Sequence, residues 1–524
     1  MNQTKPALLQ KTLFIAVPLL AFAAFAFAFR GSYNIKGFSQ FTNTMFPLLL
    51  VCLGAGVLLV ALLQVSEKIP LERMALIAIL FFGSIYLFVF PPNTVPDEAV
   101  HFSSAYEAAN VPLGQQSGDV KTILMRQADT RFYTDYSNFP DQGTYEHFTE
   151  QLFQAPPQGA QAQITEAPRI TGVPYPYIYA PQAAGIVLAR VLHTNPEWLY
   201  LLGRIFNLIA YALAIWASIK LTPIGKGIFA ITAMFPMMMQ LSASLSSDIA
   251  SIALAYLALA QYLRIAYQPG PTKLRDLILL VGTMALLGPP KVVFLPFLML
   301  AFFLPKKCFA AKKYEIIFRV SIVIIFLALL FSVLWNFIHR GADGTPVITY
   351  GEGPFYTISD ILENPRFFLA TCKRTILMYF EFYLNSMIGA ELGWLEIHIN
   401  KIICETLLAL ALLAGFRVHK EDPTLNGKRR LMFALLFFLA AFGTAIVMYV
   451  SWTPYGSWYI IGIQGRYFLP VFAALLLAAL GWYLPVRRWL TDKRLLLAAC
   501  TLQVPILLMA FTFIASRVPP PPVG

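Results

Sequence analysis

Asp97, Glu98 and His101 lie just beyond a long apolar run, in "PPNTVPDEAVHFSSAYEAAN", residues 91–110. Asp97 and His101 are spaced i,i+4, so on a helix they share one face. An Asp and a His so placed can form a base with its orienter, two metal ligands, or a simple hydrogen bond. Asp97 can also serve only as an acid beside a helix N-terminus, worth about 0.3–1 kcal/mol. The stretch 96–109 reads as a helix with Pro96 in its first turn.

Further ionisable residues sit at the ends of apolar runs. Asp248 closes "SLSSD" and opens "IASIALAYLALAQYL"; it is a candidate ligand group or an N-cap competing with Ser246 and Ser247. Lys291, in "LLGPPKVVFLPF", separates two apolar half-helices. An ammonium there suits a phosphate, or snorkels to the interface. Arg466, in "GIQGRYFLP", offers a guanidinium fork for phosphate, or an interfacial anchor among aromatics. Glu391 and Glu396 in "ELGWLE", and Glu352 in "YGEGPFY", read more simply as solvated loop acids.

These residues need elements to carry them, and composition says which. The chain has 58% hydrophobic and 13% charged residues, where a soluble domain carries about 25% charged. Its apolar runs match a helix crossing about 30 Å of hydrocarbon, and lipid demands that backbone groups pair internally. The expectation is an all-α polytopic membrane bundle of about thirteen spans: 12–29, 46–65, 74–90, 198–219, 227–241, 247–267, 274–289, 291–305, 316–338, 399–416, 430–450, 467–485 and 495–515. Proline and glycine interrupt 227–241 and 274–305. The N-terminal run resembles a signal peptide but is long for one, so it is expected to remain as a first span.

The net charge of +12 comes from Lys and Arg in short loops on one side, as topology signals place them, which argues against nucleic acid as the partner. The expected orientation is N-terminus inside and C-terminus outside. Long loops, 91–197 and 339–398, fall on the other side, and loops of that length are usually functional. Within the first, 178–192 reads as an amphipathic helix on the membrane surface. The five cysteines form no C-x-x-C pair.

P-D-E-x-x-H, L-G-W-L-E and G-I-Q-G-R-Y-F-L-P resemble a bacterial multi-pass family classed as a domain of unknown function. The order of outer acid, Tyr/Pro cluster, surface helix, acid-headed span and outer lysine is similar to the GT-C superfamily of membrane glycosyltransferases. That resemblance implies a GT-C-like core over 74–485, preceded by two helices in 1–73 and followed by a last span and outer tail in 486–524. It implies a polyprenyl-phosphate sugar donor, a glycan or lipid-linked acceptor, and a site on the outer face of a bacterial cytoplasmic membrane. Asp97 would be the catalytic acid of the first outer loop, with Glu98 and His101 beside it. Lys291 and Arg466 would hold the lipid phosphate. Substrate contacts would come from Gln464 and Tyr467, Asp248, Arg204, Tyr175 and Tyr179, and Glu391 and Trp394. Oligosaccharyltransferases of that class use a divalent metal and several acids; acids are sparse here, so a metal requirement is left open. The alternatives are a polysaccharide polymerase or ligase, a flippase or transporter of lipid-linked glycan, and a non-catalytic scaffold. A transporter would call for internal pseudo-symmetry, which is not visible.

Overall fold

The computed structural model describes residues 4–33, 40–66, 68–171, 175–339, 354–479 and 482–517; Glu352 lies outside them. The chain runs α1 (Thr4–Tyr33), α2 (Gln40–Val65), α3 (Leu71–Val89), α4 (Glu98–Asn110), β1 (Thr122–Arg126), α5 (Gln142–Gln151), β2 (Ile164–Pro168), α6 (Ala180–Val191), α7 (Pro196–Leu221), α8 (Lys226–Thr232), α9 (Pro236–Ser242) and α10 (Asp248–Tyr267). It continues through α11 (Leu274–Leu287), α12 (Leu298–Phe302), α13 (Lys312–Ile338), α14 (Ile358–Glu363), α15 (Pro365–Ile388), β3 (Glu391–Leu392), β4 (Ile397–His398), α16 (Lys401–Ala414), α17 (Gly427–Trp452), α18 (Leu469–Ala479) and α19 (Asp492–Ser516).

Among the described residues seven helices are long and apolar enough to cross a membrane: α2, α3, α7, α10, α13, α17 and α19. The protein is a helical membrane protein, but length and apolarity do not reproduce the thirteen expected spans. The run 227–241 is two buried seven-residue helices, broken because Pro236 opens α9 without an N–H to continue α8. Lys291 and the following prolines split 291–305 into a 3₁₀ turn, Val292–Phe297, and the five-residue α12. The 14-residue helices α11 and α16 rise about 21 Å, short of about 30 Å.

The expected loop 339–398 also hides a 24-residue helix, α15. Asn364 caps it, accepting from the Phe367 N–H at 3.1 Å, and Pro365 fits its first turn. Lys373, Arg374 and Glu381 interrupt its apolar pattern, which is why it does not read as a span. α15 runs along the connection that carries Arg466. Thr375 Oγ1 accepts from the Ile460 N–H at 2.8 Å, and Ser386 Oγ accepts from the Gly465 N–H at 3.1 Å.

The break between α8 and α9 leaves carbonyls unpaired inside the bundle. The Tyr211 hydroxyl donates to the Ala233 carbonyl at 2.9 Å, and Gln503 Nε2 donates to that of Met234 at 2.7 Å. Without such partners each group would cost several kcal/mol in an apolar core.

The loop 91–197 is a small cap with its own aromatic core of Phe102, Tyr106, Phe132, Phe148 and Tyr200. Antiparallel β1 and β2 close it. Its helix α6, expected on the surface, buries Gln182, Ala183, Gly185, Ile186 and Ala189 and exposes Leu188. Gly185 is needed there: a Cβ would overlap the Leu202 carbonyl of α7.

Candidate functional site

The lip of the cap is built from backbone that few residues tolerate. Asn93 has φ 63° and Asp97 has φ 62°, both left-handed. Asn and Asp enter that region more readily than other non-glycine residues, and such strain concentrates at functional sites. Asn93 is locked by its side chain, donating to the Phe132 carbonyl at 2.8 Å and accepting from the Tyr200 hydroxyl at 3.1 Å. Trp394 donates to the Asn93 carbonyl at 3.2 Å, which docks the 391–398 hairpin on the lip.

Helix α4 begins two residues later than the sequence implies, so Asp97 is its cap residue. Its carboxylate makes no capping bond. It instead accepts from Arg466 Nη2 at 2.9 Å. Arg466 Nε lies 3.7 Å from Asp248, and Lys291 Nζ donates to the other Asp248 oxygen at 2.5 Å. The structure therefore brings Asp97, Asp248, Lys291 and Arg466 together, although they span most of the chain. The Tyr467 ring lies 5.5 Å from both cations, within cation–π range.

Two cations and two carboxylates make this cluster formally neutral. Arg466 is nonetheless under-used: its side chain is 5% exposed, and Nε and Nη1 have no hydrogen-bond acceptor among the described residues. The Gln464 Oε1 beside it is buried and equally unpartnered. The backbone places Arg466 by close approach, since a Cβ on Gly465 would overlap the Tyr383 carbonyl of α15.

His101 does not orient Asp97 across the i,i+4 face. Its Nδ1 lies 2.9 Å from the Tyr179 hydroxyl and its Nε2 3.5 Å from Ser246 Oγ. With Asp97 at the cap, only its backbone carbonyl meets His101, accepting the amide N–H at 3.0 Å. Burial pushes the imidazole below its ordinary pKa, against the pull of Asp248 and Asp97. A neutral ring bonded to Tyr179 and Ser246 ties α4 to the 244–247 turn.

Glu98 and Arg204 close on each other rather than on a substrate. Both are fully buried, Arg204 Nε and Nη2 grip the carboxylate at 2.8 and 2.6 Å, and Arg204 also donates to the Phe90 and Pro91 carbonyls. Glu98 also accepts from the Leu245 N–H at 3.0 Å. The pair braces the lip, α7 and the turn before Asp248. Sequence reasoning did not single out the other supports of that turn. Gln182 donates to the Leu245 and Ser246 carbonyls, and Asn207 to that of Ser244.

Tyr175 packs edge-on to Tyr177. Glu391 pairs through its backbone with His398 and is half-buried; burial raises its carboxyl, with His398 and Lys401 as its nearest cationic influences. It does not join the Asp97 cluster. Glu396, in the same hairpin, is more perturbed: burial pushes it up from 4.5 to about 7, only partly offset by Arg517, whose Nη1 is 4.0 Å away. The folded state thus binds this proton more tightly than the unfolded chain, and the associated stability falls as pH rises from about 4.5 through about 7. Glu396→Gln is expected to remove that decline. Melting temperatures of the two proteins in detergent, compared at pH 5 and pH 8, check it; an unchanged gap refutes it.

Among the described residues no three His, Cys, Asp or Glu side chains assemble as a metal-binding group. No curated protein and no solved structure matches the chain. A family model does match, over residues 80–476, a stretch that contains Asp97, Asp248, Lys291 and Arg466. The chain belongs to the family described as predicted membrane protein (DUF2142).

Proposed function

We propose that the protein is a GT-C-type membrane glycosyltransferase. It would move a sugar from a polyprenyl-phosphate carrier to an acceptor hydroxyl on a glycan or lipid-linked glycan, at the outer face of a bacterial cytoplasmic membrane. The observation that carries this reading is Arg466: a buried guanidinium beside Lys291 with two donors unoccupied. A phosphate oxygen pair matches that fork, and its charge is the one the cluster can exchange for its own carboxylates.

The chemistry follows from the exchange. With Arg466 and Lys291 drawn to the donor phosphate, Asp97 is released from its ion pair and becomes a competent base. The acceptor oxygen attacks the anomeric carbon, Asp97 takes the hydroxyl proton, and the bond from that carbon to the phosphate oxygen breaks. The lipid phosphate leaves as an anion stabilised by Arg466 and Lys291. Direct displacement inverts the anomeric centre.

Arg466→Gln and Lys291→Gln are each expected to weaken polyprenyl-phosphate binding by about 10–100-fold, the equivalent of about 1.5–3 kcal/mol for a charged hydrogen bond. Titration of polyprenyl phosphate into purified protein, read by thermal stabilisation, checks this. Wild-type affinity in both variants refutes the phosphate clamp. Transfer from polyprenyl-phosphate sugars in proteoliposomes, with and without a chelator, tests the activity and its metal dependence together.

A further inference from the structure

At the end of the bundle opposite Asp97, α10, the segment after α12 and the start of α17 enclose a cavity of about 460 Å³. Its walls are apolar, with Met299, Phe303, Leu431, Met432 and Leu435 among them, and Asn426, Lys428 and Arg429 also line it. Leu431 and Leu435 are exposed on the outer surface of the bundle, so the cavity opens toward hydrocarbon.

The electrostatics of this end are unfavourable as they stand. Helix α17 starts Gly427-Lys428-Arg429-Arg430 and carries no acid in its first turn. The positive end of a helix dipole favours Asp or Glu and disfavours cations. Asn426 relieves only one amide, accepting from the Arg429 N–H at 3.0 Å. Arg430 is engaged elsewhere, donating to the Ala478 carbonyl at 2.7 Å. Arg429 stacks on the Tyr267 ring at 5.2 Å, and Lys428 is exposed. None of the residues lining the cavity is acidic. The Tyr262 hydroxyl, fully buried at the cavity wall, lies against the Arg429 side chain but forms no well-aligned hydrogen bond among the described residues.

A helix N-terminus crowded with cations, a buried hydroxyl without a well-aligned hydrogen bond and an adjoining apolar slot with no acid in its wall suit one kind of molecule: an anion carrying a hydrocarbon chain. We propose that this cavity binds a membrane phospholipid with an anionic headgroup. Its phosphate sits at the start of α17 between Lys428 and Arg429, and one acyl chain lies along Met299, Phe303 and Leu435. Positive charge placed only as a topology signal would need neither the slot nor saturable binding. The proposal is independent of the glycosyltransferase reading.

Purified full-length protein in zwitterionic detergent is titrated with phosphatidylglycerol, phosphatidylcholine, polyprenyl phosphate and inorganic phosphate. Bound lipid is counted by native mass spectrometry and melting temperature is recorded. Phosphatidylglycerol is expected to bind saturably and at least tenfold more tightly than phosphatidylcholine. Lys428→Gln with Arg429→Gln should weaken it at least tenfold, and so should Leu435→Trp, which fills the slot and keeps both charges. Lys428→Gln alone changes an exposed residue; it keeps the fold and is expected to show part of the loss. Equal binding of the two phospholipids, or no effect of any variant, overturns the proposal. Stabilisation by inorganic phosphate alone overturns it in favour of a simple anion site. Tighter binding of polyprenyl phosphate than of phosphatidylglycerol overturns the phospholipid assignment.

Discussion

Asp97→Asn is expected to cut sugar transfer by about two orders of magnitude or more while leaving yield and helical content unchanged. Asparagine tolerates the left-handed backbone at φ 62° as aspartate does. Its amide oxygen can still accept from Arg466 Nη2, so the lip keeps its geometry. Only the ability to take a proton is lost. Alanine or glutamate would confound that reading, one by leaving Arg466 without its 2.9 Å partner and the other by lengthening a side chain already in contact. Initial transfer rates, beside a polyprenyl-phosphate titration that should show binding at least as tight as wild type because a competing carboxylate charge is gone, separate proton transfer from binding. A variant that transfers at the normal rate would sink Asp97 as the base, and Asp248 would inherit the role.

Glu98→Gln is expected to fail at the level of folding instead. The sequence places Glu98 beside Asp97 as a second reacting acid, and a mild kinetic effect would follow from that. The structure buries it completely against Arg204. Removing one partner of a buried pair leaves an uncompensated charge, at a cost of about 3–5 kcal/mol. That is a large share of the roughly 5–15 kcal/mol that keeps a domain folded. Monodisperse protein recovered from membranes should drop several-fold. The double variant Glu98→Leu, Arg204→Met removes both charges and should recover more protein than either single change. A Glu98→Gln protein as stable as wild type would return Glu98 to the reacting groups.

The contrast between these neighbours shows what a sequence discloses and what it withholds. Asp97, Asp248, Lys291 and Arg466 stand out because each is an ionisable residue at the edge of an apolar run, where few reasons exist for one. Their meeting point depends on packing, and so does the partner of Glu98, which lies 106 residues away. The His101–Tyr179 contact was equally hidden, because the i,i+4 pattern assumes that both residues lie inside the helix. Strong spans such as α3, α7, α10, α17 and α19 are plain in the hydropathy. α15 is not, because Lys373 and Arg374 fall on an exposed stretch of a helix lying beside the 453–466 connection. α8 and α9 mislead in the opposite sense: burial on all sides gives them the composition of a span without its length.

The α8–α9 break also sets an order of manufacture. Neither seven-residue piece can hold itself across a bilayer, and the Met234 carbonyl exposed by the break is capped by Gln503, 269 residues later in the chain. At about 5–20 residues per second, a ribosome needs roughly 13–50 s to reach that partner. During that interval the segment at the centre of the finished bundle has no finished bundle to enter. When first made, α8 and α9 have only the earlier helices α3 and α7 to pack against, and until α19 follows the Met234 carbonyl lacks its partner. When α19 arrives it donates Gln503 to the Met234 carbonyl and packs against α2, α3 and α8, completing the pairing that Tyr211 begins at Ala233. Of the described spans, α19, made after the others, is thus the one that closes the core.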